Sequence, residues 1–594
     1  MCGIVGYSGR AAAAPVIYGG LKRLEYRGYD SAGIATLDGG NISVAKKQGK
    51  VSSLESCAEN LSGETGIGHT RWATHGKPSD TNAHPHAIGK FAVVHNGIIE
   101  NYAELKARYF PDTDFLSRTD SEIIVRLLDK FYSGNLLHAL KEVSSLLKGS
   151  YAVLVICADF KGFAVMKYKS PVIVGGGRGE SFAASDAPAL AGLCKKISIL
   201  EDGDFALASA SGVKIYDNNL NPAARQKIIN RATAASLDLN GCAHYMQKEI
   251  LESPSAAENT VKAFSRVQGK LKEVFADVAR VIITGCGTAY NSGLVAKRYI
   301  ESFARMPAEA EIAGEFRYKN PVITTGTAVI AISQSGETAD TVEAAKLAKS
   351  LGAKVIAVTN APYSALTLVS DVVVPVAAGH EICVAATKSY TGQIAALYLT
   401  AKLLASLNKK PAAQTMKNAK AEICAIVPLL TDTVAHTDMD ALAQVCARAD
   451  GVYFLGRDID YAVALEGSLK LKEITYIQSE GYPAGELKHG TLALIDENKT
   501  AVVIITDENL AIKCENAVEQ VLSRKGKVAV ITNVTGCARR LKGKVPVIEI
   551  PPSPKELSPL LSAAAVQLLA YKTALILERN PDQPRNLAKS VTVE

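Results

Sequence analysis

The second residue of the chain is a cysteine, and removal of the initiator Met1 would make it the N-terminal residue. Its thiol and a free α-amino group would then share one α-carbon. An α-amine has a reference pKa of roughly 7.7–8.0, so a neutral fraction is available near pH 7 to accept the thiol proton. Cys2 could therefore supply both a nucleophile and its base. The alternative is an ordinary buried cysteine that follows the start methionine.

Donor-rich side chains are concentrated in three short segments that follow one another closely. His69–Gly76 contains an arginine and the only tryptophan, and His84–His86 and His95–Gly97 come next. A metal site is one interpretation of so many histidines. No carboxylate or thiol ligand stands at the usual spacing, however, so a metal site is disfavoured.

A pocket for an amino acid explains these residue types more economically. Arg71 could hold an α-carboxylate through a bidentate contact, and Asp120 could hold an α-ammonium. Asn96 and Gly97 could offer a side-chain amide and a backbone N–H to a developing oxyanion. Asn-Gly is also the usual sequence of a tight hairpin turn, which is the alternative for this pair.

Four motifs in this order, Cys2–Ile4, Arg71–Gly76, His95–Gly97 and Arg118–Asp120, resemble the class II glutamine amidotransferases. These are N-terminal-nucleophile hydrolases with a four-layer αββα fold. The resemblance implies that the Cys2 thiolate attacks the glutamine side-chain amide, releases ammonia and forms a γ-glutamyl thioester that water hydrolyses. It also implies an oxyanion hole at Asn96 and Gly97, a channel gate at Trp72, and glutamine-binding roles for Arg71, Thr74, His75 and Asp120.

Size and composition describe an ordinary soluble globular protein. The 594 residues allow about two to four domains, with 48% hydrophobic and 21% charged residues. The net charge of +7 is spread along the chain, which argues against nucleic acid as a partner. No signal-like N-terminus and no long apolar run is present, so we expect neither secretion nor a membrane. The 11 scattered cysteines contain no C-x-x-C pair, which favours a reduced, cytoplasmic setting.

The first part of the chain, to residue 237, reads as short strands separated by turns. Few long helices are expected there, and the segments Ala13–Leu24 and Ser121–Tyr132 have helical spacing. A polar stretch at 235–255 predicts a domain junction. The predicted strands are Gly3–Tyr7, Gly33–Leu37, Phe91–His95, Tyr151–Cys157 and Phe163–Lys167.

The second part alternates buried-type strands with long helices, the pattern of βαβ units and a parallel sheet. It also contains an internal repeat, since Ala328–Ser333 matches Ala501–Thr506 and Lys354–Asn360 matches Lys527–Asn533, both 173 residues later. Two copies of one α/β unit explain this spacing.

A hydroxyl-rich segment follows a predicted strand in the first copy. Ser333, Gln334, Ser335 and Thr338 precede a helix, and clustered hydroxyls with backbone N–H groups at a helix N-terminus form an anion site. Plain helix capping is the alternative. The earlier segment 285–293 carries Thr288 but is not G-x-G-x-x-G, and no acidic residue plainly ends the next strand, so NAD is disfavoured.

The second copy carries charged residues of a different kind. Glu466, Lys470 and Glu473 lie on one helical face, which is either functional or an exposed ion-paired surface. His489 is flanked by glycines and suits acid–base work near neutral pH. Thr506 takes the place of Ser333 and is followed by acidic residues, so we expect the first copy alone to hold the anion.

These motifs, with the segment 245–249 and the C-terminal segment 582–594, resemble the glucosamine-6-phosphate synthase family over nearly the whole chain. The resemblance implies fructose 6-phosphate and L-glutamine as substrates, the first step of the hexosamine pathway, a homodimer, and no metal or redox cofactor. The implied site residues are Ser333, Gln334, Ser335, Thr338 and Thr288 for the sugar phosphate; His489, from a second subunit, for ring opening; Lys589 for a Schiff base; Glu473 for proton transfer; and Glu466 and Lys470 as helpers.

The predicted fold class is therefore α/β, an N-terminal-nucleophile αββα sandwich followed by two doubly wound sugar-isomerase (SIS) domains. Ala289 and Ala386 stand where many members of the family have serine, which could weaken sugar-phosphate binding by about 1 kcal/mol each. A non-catalytic sugar-phosphate sensor is the rival from another class, and the lysine, histidine and N-terminal cysteine argue against it. The predicted boundaries are 1–237 for the glutaminase, 238–270 for a linker, 271–415 and 440–580 for the SIS domains, and 581–594 for a catalytic tail.

Overall fold

The computed structural model describes residues 2–73, 76–230, 238–407 and 416–592. The chain forms two compact units, one made of Met1–Asp238 with Ala588–Glu594 and the other of Leu239–Leu587.

The first unit is built mainly from antiparallel strands. Its helices are α1 Ala13–Leu24, α2 Glu55–Ala58, α3 Tyr102–Tyr109, α4 Glu122–Phe131 and α5 Leu136–Leu146. Its strands are β1 Gly3–Ser8, β2 Ser31–Asp38, β3 Asn41–Gln48, β4 Thr65–Arg71, β5 His86–Ile88, β6 Phe91–Ile99, β7 Gly149–Cys157, β8 Phe163–Tyr168, β9 Ile173–Gly177, β10 Glu180–Ala184, β11 Lys196–Ile199, β12 Phe205–Ser209, β13 Gly212–Tyr216 and β14 Lys227–Ile229.

These strands form two stacked sheets. One is 8-stranded in the order β14-β11-β9-β10-β1-β4-β2-β3, and the other is 6-stranded in the order β13-β12-β8-β7-β6-β5. Ile4 of β1 packs between the sheets with Val94 of β6, whereas Val5 faces outward against Ile17 of α1. This alternation follows from the two-residue period of a strand. On the other outer face, Val93 packs among the side chains of α4 and α5. The layers are therefore helix, sheet, sheet, helix, and the predicted αββα sandwich is confirmed.

The second unit alternates helices and strands. Its helices are α6 Tyr245–Leu251, α7 Ser253–Phe264, α8 Gln268–Val274, α9 Thr288–Tyr299, α10 Ala313–Tyr318, α11 Ala339–Ser350, α12 Ala365–Val369, α13 Lys388–Leu407, α14 Met416–His436, α15 Asp440–Ala447, α16 Ile459–Thr475, α17 Ala511–Leu522, α18 Thr535–Leu541 and α19 Ser558–Ile576. Its strands are β15 Arg280–Gly285, β16 Ala308–Ile312, β17 Thr327–Ser333, β18 Lys354–Thr359, β19 Val372–Pro375, β20 Gly451–Gly456, β21 Ser479–Pro483, β22 Lys499–Ile505, β23 Lys527–Thr532 and β24 Val547–Glu549.

Two 5-stranded parallel sheets follow from this alternation, ordered β16-β15-β17-β18-β19 and β21-β20-β22-β23-β24. The two orders are the same, and each copy is the doubly wound order 2-1-3-4-5. In sheets of this order, ligands bind at the carboxyl ends of the first and third strands. The connections from these two neighbouring strands leave in opposite directions, which opens a crevice between them. The predicted duplication and parallel sheets are confirmed, and the switch points lie at β15/β17 and at β20/β22.

The two copies share a hydrophobic core. Tyr390 and Leu399 of α13 are buried in the same cluster as Leu561 and Val566 of α19. α19 is also the one described helix long and apolar enough to cross a membrane, but 78% of its most apolar window is buried inside the protein. Its composition is that of a central core helix.

The segment predicted as a linker, 238–270, holds helices instead of extended chain. α6 and α7 lie within it, and Met246, Ile250 and Phe264 are fully buried in the shared core of the second unit. The polar residues that suggested a junction alternate with apolar residues at helical spacing. The segment therefore packs its apolar face into the core of the second unit.

Candidate active site

Cys2 lies at the start of β1, beside the end of β4. The antiparallel register pairs Gly3 with Thr70, and the Gly3 N–H donates to the Thr70 hydroxyl oxygen at 3.1 Å. This register brings Cys2 next to Trp72, whose N–H donates to the Cys2 sulfur at 3.3 Å. The thiol itself donates to the Trp72 carbonyl oxygen at 3.6 Å. The nucleophile is therefore held by main-chain groups.

Opposing influences act on the pKa of the Cys2 thiol. Burial raises it, while the N-terminal charge, the Trp72 N–H and the Arg71 guanidinium act to lower it. Burial has the largest effect, so the pKa lies above its ordinary value. A thiol of this kind needs a nearby base before it can attack, which is the role that sequence analysis gave to the α-amine.

Asn96 and Gly97 lie on β6, where the chain passes Cys2. The Asn96 side-chain amide donates to the Cys2 carbonyl oxygen at 3.0 Å, and an amide NH₂ has a second hydrogen to donate. Gly97 has φ of 133°, and a Cβ there would lie 1.9 Å from the Ser150 carbonyl oxygen. Both residues are within the strand, so the hairpin alternative is wrong.

Arg71 and Asp120 are both buried. The Arg71 guanidinium donates to the Gly76 carbonyl oxygen at 3.2 Å, and burial lowers its pKa. One Asp120 oxygen accepts the Ile99 N–H at 2.7 Å, which fixes the carboxylate beside β6. Both groups also act on the pKa of the Cys2 thiol, which Arg71 lowers and Asp120 raises. Thr74 and His75, the other predicted glutamine-binding residues, lie outside the described residues.

The histidines of this region form a buried stack. The rings of His69 and His84 are stacked with centroids 4.2 Å apart, and His84 is tilted against His86 at 4.6 Å. His69 Nε2 bonds the His95 carbonyl oxygen at 3.0 Å. Burial lowers the pKa of all four, to about 3 for His69. In the parts of the chain that the structure describes, no cluster of three metal-ligating side chains occurs.

The predicted anion segment lies at the switch point of the first parallel sheet. Ser333 ends β17, and its hydroxyl pairs with that of Thr338 at 3.1 Å and accepts the Gly336 N–H at 3.0 Å. The Ser335 hydroxyl oxygen accepts the Glu337 N–H at 3.2 Å. Thr338 is the N-cap residue of α11, yet its hydroxyl makes no capping hydrogen bond. Simple helix capping therefore does not account for these hydroxyls.

Two features of the backbone shape the loop around Gln334. Its carbonyl oxygen accepts the Asn360 N–H at 3.2 Å, which ties the loop to the end of β18. Gly336 has φ of 66°, and a Cβ there would lie 1.9 Å from the Ser364 hydroxyl oxygen. The loop thus follows a path that only glycine permits, with its hydroxyls at the carboxyl edge of the sheet.

A buried ionic array on α16 lies opposite the first copy. Glu466 and Lys470 are fully buried, and the Lys470 ammonium lies 3.6 Å from Glu466 and 2.5 Å from Glu473. The Thr288 hydroxyl donates to Glu466 Oε1 at 3.1 Å, and the Asn291 amide donates to Oε2 at 2.9 Å. The alternative of an exposed ion-paired surface is therefore wrong.

The protonation of this array follows from burial and charge. Burial raises the pKa of Glu466 to about 7, against the opposing effect of Lys470. Burial acts to lower the pKa of Lys470, but the Glu473 and Glu466 carboxylates outweigh it and the pKa is raised. Lys470 stays charged and pairs with Glu473, while Glu466 takes up a proton near neutrality. Glu473 keeps 20% of its side chain exposed, so it is the member that can reach a ligand.

Two further predicted residues stand apart from this array. His489 ends the short 3₁₀ turn Glu486–His489 after β21, and its side chain is exposed. Lys589 belongs to the C-terminal segment Ala588–Glu594, which groups with the first unit and not with the unit that carries Glu473. The ring-opening and Schiff-base roles of these two residues remain predictions.

The second copy fills its own switch point with a carboxylate. Asp460 accepts the Thr506 N–H at 2.8 Å and the Thr506 hydroxyl at 2.5 Å. The first strands of the two copies, β15 and β20, begin 171 residues apart, and at that offset the residue equivalent to Asp460 is Ala289. Gly287 and Asp458 precede the equivalent helices with φ of 54° and 56°. Burial raises the pKa of Asp460 to about 7. The N–H and hydroxyl of Thr506, which takes the place of Ser333 in this copy, are thus bonded to a carboxylate of the chain itself.

Sequence reasoning missed several residues that build these sites. Thr70 fixes the first residues of β1, and the Asp30 carboxylate accepts the Ala73 N–H at 2.8 Å beside the nucleophile. Asn291 holds Glu466. Asn291 lies in the glycine-rich segment 285–293 that the sequence singles out, so its position was a usable signal. Thr70 likewise lies within the singled-out segment His69–Gly76, whereas nothing in the local pattern marks Asp30, whose partner Ala73 is 43 residues away.

Known proteins resemble both units. The glutamine amidotransferase domain family matches residues 69–190, and the SIS domain family matches residues 274–403 and 446–577. The chain is 44% identical to a glutamine–fructose-6-phosphate aminotransferase [isomerizing] of Caldanaerobacter subterraneus subsp. tengcongensis, and 43% identical to that of Aquifex aeolicus, with 100% of both chains covered in each case. The C-terminal domain of glucosamine-fructose-6-phosphate aminotransferase from Francisella tularensis superimposes with a TM-score of 0.55 at 34% identity, covering 58% of this chain and 99% of that chain.

Proposed function

Because the chain belongs to the family of isomerizing glutamine–fructose-6-phosphate aminotransferases, we propose that it converts D-fructose 6-phosphate and L-glutamine into D-glucosamine 6-phosphate and L-glutamate. Hydrolysis of glutamine gives glutamate and ammonia. The sugar takes up the ammonia and releases one water, so the water consumed in the first half is returned in the second. An N-terminal-nucleophile sandwich and a duplicated SIS fold are the two parts that this pair of reactions needs.

Glutamine is hydrolysed in the first unit. Arg71 and Asp120 hold its α-carboxylate and α-ammonium, together with Thr74 and His75. The α-amine of Cys2, freed by removal of Met1, takes the thiol proton, and the thiolate attacks the side-chain amide. The Asn96 amide and the Gly97 N–H stabilise the oxyanion, because both are fixed before charge develops. Support comes from the position of Asn96, whose amide already lies 3.0 Å from the Cys2 carbonyl oxygen.

Ammonia must reach the sugar before water protonates and dilutes it. Trp72 is the proposed gate of its exit from the glutamine site. The Trp72 N–H donates a hydrogen bond to the Cys2 sulfur, so a movement of this sulfur would also move the backbone of Trp72.

Fructose 6-phosphate binds at the switch point of the first SIS copy. Its phosphate accepts hydrogen bonds from Ser333, Ser335, Thr338 and the N-terminus of α11, with Gln334 and Thr288 lining the same edge. His489, donated by a second copy of the chain, opens the ring. Lys589 then forms a Schiff base with C2 and expels water, and ammonia attacks C2 and displaces the lysine amine.

Isomerisation completes the reaction at the α16 array. Glu473 removes a proton from C1 and returns it at C2, which converts the ketose skeleton into the aldose. Lys470 holds the Glu473 carboxylate in place through a 2.5 Å ion pair. Glu466 holds Lys470 from the other side, with its own oxygens fixed by Thr288 and Asn291.

The assembly and location of the protein belong to the same proposal. Exposure of His489 on its own chain is what a residue serving a second subunit requires, so a homodimer is proposed. All 11 cysteines are free thiols, which suits a reducing cytoplasm.

The observation that carries the proposal is the contact of Glu466 with both copies of the SIS fold. A sugar-phosphate sensor would need the anion loop, but it would have no use for a buried Glu–Lys–Glu array whose outer carboxylate reaches solvent. Burial of these charges costs desolvation free energy that their pairing only partly offsets, so folding stability alone does not explain them. This favours catalysis over sensing.

The test is to incubate the purified protein with L-glutamine and fructose 6-phosphate and to measure glutamate and glucosamine 6-phosphate together. Equal amounts of both products are expected. Glutamate without the amino sugar would retain the glutaminase and refute the sugar acceptor. Neither product, with intact folding, would refute the proposal as a whole.

A further inference from the structure

One half-buried carboxylate, that of Asp582, joins three separate segments of the second unit. Asp582 Oδ2 accepts the Tyr245 N–H and Oδ1 accepts the Met246 N–H, both at 2.8 Å. These N–H groups belong to the first residues of α6 and have no carbonyl partner within the helix. A carboxylate has two oxygens for two such donors, so it fits this helix end well.

The main chain around Asp582 is bonded to a second segment. The Val384 N–H donates to the Asp582 carbonyl oxygen at 3.2 Å, and the Cys383 thiol donates to the Pro581 carbonyl oxygen at 3.4 Å. Val384 and Cys383 belong to the loop between β19 and α13. This is also the loop that holds Ala386.

The same loop is bonded back to α6, which closes the arrangement. Glu249 Oε1 accepts the Ile382 N–H at 2.5 Å and the Cys383 N–H at 3.4 Å. Glu249 is only 2% exposed. The start of α6, the loop 381–387 and the residues 581–582 therefore hold one another in a closed ring of hydrogen bonds.

We propose that Asp582 is a positioning residue. It bonds the start, or root, of the C-terminal segment to α6, the helix by which the chain enters the isomerase unit, and so limits the positions that Lys589 can reach. The inference rests on the proposed role of Lys589 as the Schiff-base amine. Seven residues of extended chain span about 25 Å, so the tie at Asp582, with a second from the Arg585 N–H to the Tyr476 hydroxyl oxygen at 2.8 Å, limits where the segment can place its lysine. Anchoring its root confines that range, and a displacement of about 1 Å from a reactive geometry can cost about a hundredfold in rate.

The variant Asp582→Asn tests this role with almost no change of shape. It keeps one acceptor but turns an NH₂ toward a backbone N–H, so one hydrogen bond becomes a clash of donors. Asp496→Asn is the matched control, because Asp496 accepts a single N–H, from Asn498, in an exposed turn at 2.9 Å. Three quantities are measured: glutamine hydrolysis without sugar, amino-sugar formation, and the fructose 6-phosphate adduct of Lys589 trapped with borohydride and located by mass spectrometry.

For Asp582→Asn we expect trapped adduct and amino-sugar formation to fall at least about tenfold, while glutamine hydrolysis without sugar stays within about twofold. The ratio of glutamate to amino sugar should rise above one. Asp496→Asn should leave all three quantities unchanged. Normal trapping and a one-to-one ratio in Asp582→Asn would overturn the proposal.

A second variant removes the other partner of the same hydrogen bond. Tyr245 is the first residue of α6, a position that tolerates proline, and His244 before it has ψ of 153°, as a residue before proline prefers. Tyr245→Pro deletes the donor, whereas Tyr245→Ala keeps it and controls for loss of the ring. Tyr245→Pro should reproduce part of the Asp582→Asn defect, Tyr245→Ala should not, and the double variant should be no worse than Asp582→Asn alone.

The variants also separate failure of this inference from failure of the proposed function. If Lys589→Ala still forms the amino sugar at full rate, the proposed Schiff-base role is wrong and the reach of Lys589 is irrelevant. If Lys589→Ala is inactive while Tyr245→Pro and Asp582→Asn still form one amino sugar for each glutamate, only the inference about Asp582 is wrong. Should Asp582→Asn fail to fold, the comparison of Tyr245→Pro with Tyr245→Ala decides.

Discussion

The hydroxyl of Thr288 donates a 3.1 Å hydrogen bond to the buried carboxylate of Glu466, so one acid is held jointly by the two copies of the SIS fold. Thr288 begins α9 in the first copy, and Glu466 lies in the middle of α16 in the second. The duplication therefore joins the two copies at one buried group: the first copy contributes Thr288 and Asn291, and the second contributes the array of Glu466, Lys470 and Glu473.

The pKa of Glu466 predicts a pH dependence of stability. Its folded-state pKa of about 7 lies above its ordinary value of 4.5, so the folded state holds the proton more tightly than the unfolded state between these values. Stability from this group is present below about pH 4.5 and is lost as pH rises to about 7. Relative to wild type, Glu466→Gln should gain roughly 3 kcal/mol of unfolding free energy over that interval.

Urea unfolding at several pH values between 4.5 and 7.5 measures this difference. Glu519→Gln is the control, because Glu519 is 59% exposed and pairs only with Lys544 on the surface. If the free energies of unfolding of wild type and Glu466→Gln changed with pH in the same way, Glu466 would be ionised throughout this range.

Retention of Met1 should abolish glutamine use. The α-amine would then lie one residue away from the Cys2 thiol, whose pKa is already raised by burial, and the thiol would lose its base. A removable N-terminal extension tests this. We expect glutaminase activity to fall by about a thousandfold or more with the extension and to return after cleavage exposes Cys2. Ammonia-driven synthesis should continue in both forms; equal glutaminase activity before and after cleavage would contradict the mechanism.

Ser333→Ala should weaken binding of fructose 6-phosphate. Loss of a hydroxyl that bonds a charged group costs about 1.5–3 kcal/mol, or about ten- to a hundredfold in KM. Thr506→Val is the matched change in the second copy, where the hydroxyl bonds Asp460 instead of an external anion. That variant should lose stability with an unchanged KM. Steady-state kinetics and thermal melting of both variants check the prediction, and equal KM changes would mean that both copies bind sugar phosphate.

Ala289→Ser should strengthen sugar-phosphate binding. Ala289 is the second residue of α9 and is 8% exposed at the switch point of the first sheet. An added hydroxyl there is worth about 1 kcal/mol, which is about a fivefold decrease in KM. Kinetics with fructose 6-phosphate measure the change. An unchanged KM would indicate that backbone N–H groups already satisfy the phosphate.

The buried histidines of the first unit should make it sensitive to acid. Burial holds the pKa of His69 near 3 and lowers those of His84, His86 and His95, so only the unfolded state takes up protons as pH falls below about 6.5. Stability should therefore fall with decreasing pH, by up to about 1.4 kcal/mol per pH unit for each histidine. Calorimetry between pH 7.5 and 5.0 measures this. His84→Asn should flatten the slope, and His436→Asn, at a position 76% exposed, should not.

The sequence by itself determined the local elements and the repeat. The α1 segment Ala13–Leu24 has the predicted bounds, and the predicted strands at Phe91–His95 and Phe163–Lys167 lie within β6 and β8. Hydrophobic periodicity reports which faces are buried, and that is a local property of the chain. The 173-residue offset identified the duplication for the same reason, since equivalent strands bury equivalent side chains.

Only the tertiary structure decided which distant groups meet. The bond from Asn291 to Glu466 and the ring that joins Asp582, Met246 and Cys383 link residues far apart in the chain. Their partners depend on how helices and loops pack, and no local pattern encodes that packing. The filling of the second switch point by Asp460 is of the same kind. Its charge is visible in the sequence, but its burial against Thr506, which makes it an internal ligand, arises only when α16 packs on β22.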